Sequence, residues 1–94
     1  MAEYRITYWR DIPSMVTARD GEATAKSALP NRFQEAIDEA AMRLGMAGSD
    51  AYLEQWRHGD WEGAEGAPDA VVAAVAERLD NDYDDARLQT LLEV

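Results

Sequence analysis

The stretch Tyr4-Arg5-Ile6-Thr7-Tyr8-Trp9-Arg10-Asp11-Ile12-Pro13 decides how the chain is read. Tyr4, Ile6 and Tyr8 alternate with Arg5, Thr7 and Trp9, a period of two that predicts a strand with one apolar face. Asp11 to Ser14 then ends it, because Pro13 has no amide proton to donate and disfavours helix at Ile12. Residues 15–19 and 22–27 read as two further strands joined about Asp20-Gly21, the dipeptide that best tolerates the positive φ angles of a tight turn. That register sets Arg19 against Glu22, Ala18 against Ala23, Thr17 against Thr24 and Val16 against Ala25. A three-stranded antiparallel sheet follows, and its small side chains form a face on which a helix can sit closely.

Helical spacing takes over after Pro30. Phe33, Ile37, Ala40, Ala41 and Leu44 form one apolar stripe over residues 31–44, with Asn31 in the first turn and Gly45 placed to end the helix. This main helix is the expected cover for the sheet. Ser49 or Asp50 caps a short helix to about Arg57, with Tyr52, Leu53 and Trp56 facing one way. The glycines in His58-Gly59-Asp60-Trp61-Glu62-Gly63-Ala64-Glu65-Gly66 make a turn-rich connector. Pro68 opens a third helix with Val71, Val72, Val75 and Leu79 inward, and a last helix spans about Asp84 to Leu92. The expected fold class is α+β: one compact domain over 1–94, with an N-terminal three-stranded antiparallel sheet, a main helix and additional C-terminal helices.

Composition narrows the function. The chain has 94 residues, no cysteine and a formal charge of -10. Thiolate nucleophiles, thiolate metal sites and disulfides are therefore absent, and a reducing, cytoplasmic setting is the expectation. No run of about 20 apolar residues crosses a bilayer. Residues 1–58 carry seven basic and nine acidic side chains, whereas residues 59–94 carry two basic and ten acidic. The negative field of the C-terminal third repels phosphate backbones and anionic lipid, so neither nucleic acid nor membrane is an expected partner. It serves solubility, or it steers a basic partner.

Chemistry-bearing motifs are few. His58, the only histidine, stands near Asp60 and Glu62, and a turn can gather these three into a small metal or catalytic site. No second histidine and no helical spacing fixes such a geometry, so connector residues are the plainer account. Asp80, Asp82 and Asp84 imitate the opening of a calcium loop, but Asp85 stands where that loop needs glycine and Leu91 where it needs glutamate. Helix capping is the simpler use of these aspartates. Ser14, Ser27 and Ser49 occupy no nucleophile elbow, and one histidine suggests no triad. No catalytic residue, metal ligand or directly bound cofactor is assigned.

Aromatic side chains remain. Trp9, beside Arg10, and Trp61, in the glycine connector, are candidate partner anchors, because aromatics combine a large contact area with a polar handle. Both can equally roof a thin core. The candidate partner-binding set is Trp9, Arg10, Asp60, Trp61, Glu62, Asp82, Asp84 and Asp85. It describes a noncatalytic protein-binding accessory, with a small enzyme or metal domain on His58, Asp60 and Glu62, or a self-associating structural domain, as alternatives.

The block Tyr4 to Pro13, with Leu29-Pro30-Asn31-Arg32-Phe33-Gln34-Glu35-Ala36-Ile37-Asp38 and Asp50-Ala51-Tyr52-Leu53-Glu54-Gln55-Trp56, resembles a family of small α-proteobacterial proteins labelled "virulence factor". The label is not a mechanism. The resemblance implies an association with corrinoid proteins and methyltetrahydrofolate-dependent methyltransferases. It thereby implies an accessory role in cobalamin-dependent methyl transfer such as methionine synthesis. This chain lacks the Asp-x-His-x-x-Gly signature of many corrinoid proteins: Trp56 precedes His58 by two residues and Gly59 follows it at once. Any cobalamin is therefore expected in the partner.

Overall fold

A computed structural model describes residues 1–92. Its order is β1 (Ala2–Trp9), β2 (Ile12–Asp20), β3 (Ala23–Ala28), α1 (Asn31–Arg43), α2 (Asp50–Glu54), β4 (Trp56–His58), β5 (Glu62–Ala64), α3 (Pro68–Asp82) and α4 (Asp85–Leu92). The α+β class holds, but the sheet has five strands in place of the expected three. The antiparallel path runs β3-β2-β1-β4, and β5 shares the outer edge of β1 with β4. The expected short helix to Arg57 stops at Glu54, and its last residues become β4. The middle of the glycine connector, Glu62–Ala64, becomes β5. Both strands are three residues long, with no alternation to announce them; β1 defines them by offering free donors and acceptors along its open edge.

The β1–β2 connection is tighter than the proline suggested. Trp9 pairs with Ile12 across a two-residue turn of Arg10 and Asp11, and Arg10 takes a φ of 54°, a conformation uncommon outside glycine. Its backbone is held from both sides: the Arg10 amide donates to the Gln55 carbonyl at 3.0 Å, and Arg57 Nε donates to the Arg10 carbonyl at 3.0 Å. Pro13 lies inside β2, not before it. The register slips between the Thr7–Met15 and Tyr8–Pro13 pairs, and β3 pairs no further along β2 than Met15, so Pro13 sits at a bulge where the ladder is already interrupted.

The β2–β3 hairpin also turns one residue later than expected. Asp20 pairs with Ala23, leaving Gly21 and Glu22 as the loop, and of these only Gly21 has positive φ. A turn with glycine in the first central position matches the strand twist as well as an Asp-Gly turn does. The pairing therefore becomes Ala18 with Ala25 and Val16 with Ser27. The slip is two residues across the ladder, so every side chain keeps its expected face.

Core assembly follows from those faces. Tyr4, Ile6, Val16 and Ala18 are buried together with Phe33, Ala36 and Ile37 of α1 and Val71, Val72, Val75 and Leu79 of α3 in one cluster. The expectation that α1 is the main cover needs correction: α3 lies across β1, β2 and β3, while α1 meets β2 and α4. The small faces of Ala18 and Ala25 admit the valine-rich α3. Gly45, at φ 70°, ends α1 as foreseen: the amides of Gly45 and Met46 donate back to the carbonyls of Met42 and Ala41, satisfying groups the helix leaves open. Arg32 then ties three helices together, with Nε and both terminal nitrogens directed at Asp80 and Asp85 at 2.7 to 3.3 Å.

Trp9 anchors the end of the sheet. It is 0% exposed, its indole N–H donates to the Tyr52 carbonyl at 2.9 Å, and its ring lies 5.5 Å from that of Tyr52. Trp9→Ala therefore removes a full core side chain and is expected to cost about 3–5 kcal/mol, a large share of the roughly 5–15 kcal/mol that stabilises a domain. Urea unfolding checks this, and a loss below about 1 kcal/mol would contradict the burial.

Candidate functional site

The pleat of β1 separates two surfaces. Residues that pair across a sheet share a face, so Tyr4, Ala18 and Glu62 point to the helical side, while Glu3, Arg19 and Gly63 point to the other. Arg5, Thr7, Met15 and Thr17 follow Glu3 and are half-buried; Arg19, Thr24 and Lys26 are exposed. At its far end this face reaches Trp9, which Tyr52 of α2 covers; from Glu3 to Thr7 and across to β3 its side chains stay half-buried or exposed.

Trp61 lies on the uncovered face. The connector between β4 and β5 lays its indole against two guanidinium groups, with Arg19 Cζ 3.8 Å and Arg5 Cζ 4.7 Å from the ring centroid. Attraction between a cation and the negative face of an indole contributes about 0.5–1 kcal/mol at exposed sites. Arg19 also donates from Nε to Glu3 Oε1 at 2.7 Å, which fixes the plane against which Trp61 rests. Arg5 Nε is buried and has no hydrogen-bond partner. Trp61 remains half-buried, so part of its ring faces outward.

Farther along the same face, Thr7 Oγ1 and His58 Nδ1 are 3.0 Å apart in an exposed cross-strand pair. A hydroxyl beside an imidazole is half of a nucleophile and base arrangement, but among the described residues no third group orients the His58 ring. His58 thus faces Thr7, whereas Glu62, opposite Tyr4, faces the helical side. His58, Asp60 and Glu62 all border one cleft, but the His58 ring is engaged with Thr7, and among the described residues no three such side chains converge as metal ligands.

On the helical side a cleft of about 600 Å³ opens beside Ile6 and Tyr8, with Arg57, Glu62, Tyr83 and Arg87 among its walls. Two arginines lie on two tyrosines: Arg57 Cζ is 4.5 Å above the Tyr8 ring, and Arg87 Cζ is 4.0 Å above that of Tyr83. Burial pushes the Tyr8 phenol above its usual value of 10.0; Tyr83 and Glu62 push the same way, and Arg57 opposes them. The cleft thus presents a neutral phenol between charges of both signs.

The foreseen site residues scatter over these surfaces. Trp61 reaches the open face, and Asp60 and Glu62 line the cleft. Trp9 is not a partner contact: its complete burial places it in the core. Arg10 stays half-buried in its strained turn. Asp84 Oδ1 accepts the Arg87 amide at 2.8 Å, the Asp82 carbonyl accepts an Arg87 guanidinium nitrogen at 3.2 Å, and Asp85 pairs with Arg32. The aspartate run therefore caps and clamps the α3–α4 junction. Arg5 and Arg19 were missed because the partner that gives them meaning lies more than 40 residues away in sequence. Only the alternation of Arg5 and Thr7 with the apolar positions hinted at their face.

The raised Tyr8 value has a definite sign. A phenol bound more tightly to its proton in the folded state adds stability that is fully present below pH 10, the unfolded value, and is lost as pH rises through the higher folded value. Absorbance titration of phenolate should show one tyrosine ionising later than the others, and Tyr8→Phe should remove that late step. Loss of an ordinary step, with the late one retained, would place Tyr8 in water.

No curated protein and no solved structure matches the chain. A family model described as "Virulence factor" matches residues 7–92, and the chain belongs to that family.

Proposed function

We propose that this virulence-factor family member is a noncatalytic accessory domain that docks onto a partner protein through the uncovered face of its sheet. The observation that carries the reading is Trp61, held flat over Arg5 and Arg19 on the open part of a sheet face. A large aromatic with arginines beside it is the composition of an interface centre, where a few such residues supply most of the binding energy. The aspartates of the α3–α4 junction are engaged in capping and clamping, which moves the weight of the reading from acidic steering to this aromatic and arginine patch. Corrinoid proteins and methyltransferases, implied by the family resemblance, are the first partners to test; cobalamin would reside in them.

The test is recovery of the tagged chain from native cell extract at low salt, with Trp61→Ala and Arg19→Gln beside the parent. One partner recovered in fixed stoichiometry, reduced roughly tenfold or more by Trp61→Ala, is the expected result. Thermal unfolding of the variant should stay within about 5 °C of the parent, because Trp61 is only half-buried. Equal recovery by parent and both variants would remove this face from the interface, and a concentration-dependent oligomer without a foreign partner would favour self-association.

A further inference from the structure

We propose that the open face is shaped for an acidic protein surface, so that the partner presents carboxylates to Arg5, Arg19 and Lys26. This rests on the reading of that face as a docking surface and adds the chemistry of what docks there. Cross-strand pairing brings Glu3 to Arg19 and Thr24, and Arg5 to Thr17 and Lys26. The face therefore holds three permanent cations against the single carboxylate of Glu3, in a chain whose formal charge is -10. Solubility does not explain a positive patch on a strongly negative molecule; the acidic side chains of the C-terminal third already provide it.

Lys26 is exposed on β3, and Arg19 carries its one carboxylate partner on Glu3 while keeping 46% of its side chain exposed. Guanidinium groups lying against an indole still present their N–H edges, which suit the two oxygens of a carboxylate. The rest of the chain carries a net negative charge, which favours approach of an acidic partner from the open face.

The test uses the isotopically labelled full chain, with backbone amide and indole signals followed by NMR. Poly-L-glutamate at low salt should shift Arg5, Thr7, Thr17, Arg19, Lys26 and the Trp61 indole, and the shifts should fade as salt is raised. Arg19→Gln and Lys26→Gln should each weaken the fitted affinity roughly two- to fivefold, the range that exposed ion pairs supply. Poly-L-lysine should move signals of α3 and α4 and leave the open face unmoved. The proposal is overturned if poly-L-glutamate leaves the face unmoved, if poly-L-lysine shifts it, or if a single-stranded oligonucleotide binds there more tightly. Loss of partner recovery with Trp61→Ala, combined with no response to poly-L-glutamate, would retain the docking face and reject its acidic partner. Retained recovery in both Trp61→Ala and Arg19→Gln would reject the docking face itself.

Discussion

The indole of Trp9 fixes the geometry on which the other elements depend. Fully enclosed, it hydrogen-bonds to the Tyr52 carbonyl and stacks near the Tyr52 ring, and Tyr52 in turn meets Trp56 edge to face at 6.1 Å. That chain of contacts brings the segment after α1 back to the end of β1. Once Trp56 is there, it pairs with Trp9, and Arg57 and His58 fall opposite Tyr8 and Thr7. A single buried side chain thereby decides which residues reach the cleft and which reach the open face. The left-handed turn at Arg10 costs on the order of 1–3 kcal/mol, and the same returning segment offsets it through the bonds from Gln55 and Arg57.

From this end the sheet is packed on one side. Helices α1 and α3 take the face of Tyr4, Ile6, Val16 and Ala18, and each of those side chains is buried. The opposite face is polar and charged, which an antiparallel sheet tolerates because water can satisfy it. Trp61 stands apart in that setting. Its ring is too large to be a routine solvent-facing residue and too exposed to be core, and its stack on two arginines holds it in place without burying it.

Much of this architecture was legible in order. The alternation from Tyr4, the stripe of Phe33 and Ile37, the glycine after Leu44 and the proline at 68 each mark an element that forms where they indicate. Those signals are local: periodicity, caps and breakers act within a few residues. The errors share an opposite cause. Strands β4 and β5 are too short to show a period and exist only because β1 has an unfilled edge. The β2–β3 register depended on which of two permitted turns formed. The choice of α3 as the sheet's cover is a matter of packing among helices with similar apolar stripes. For the site, Trp61 was identifiable as a large aromatic in a glycine connector, but its partners Arg5 and Arg19 were invisible without the fold, and so was the pairing of His58 with Thr7.

The shortness of β4 and β5 makes them a distinct unit of stability. Each holds β1 through three residue pairs that are distant in sequence, whereas the β1–β2–β3 meander is joined by two-residue turns and longer ladders. Closing a long loop for few backbone bonds returns little free energy, so this strip belongs among the segments that open first while the meander stays folded. Its detachment would lift Arg57 from Tyr8 and Trp61 from Arg5 and Arg19 in one event. The cleft and the open face, on opposite sides of the sheet, thus share one hinge. Binding on either side would hold the strip against β1 and so bear on the other side as well, without any movement of the core.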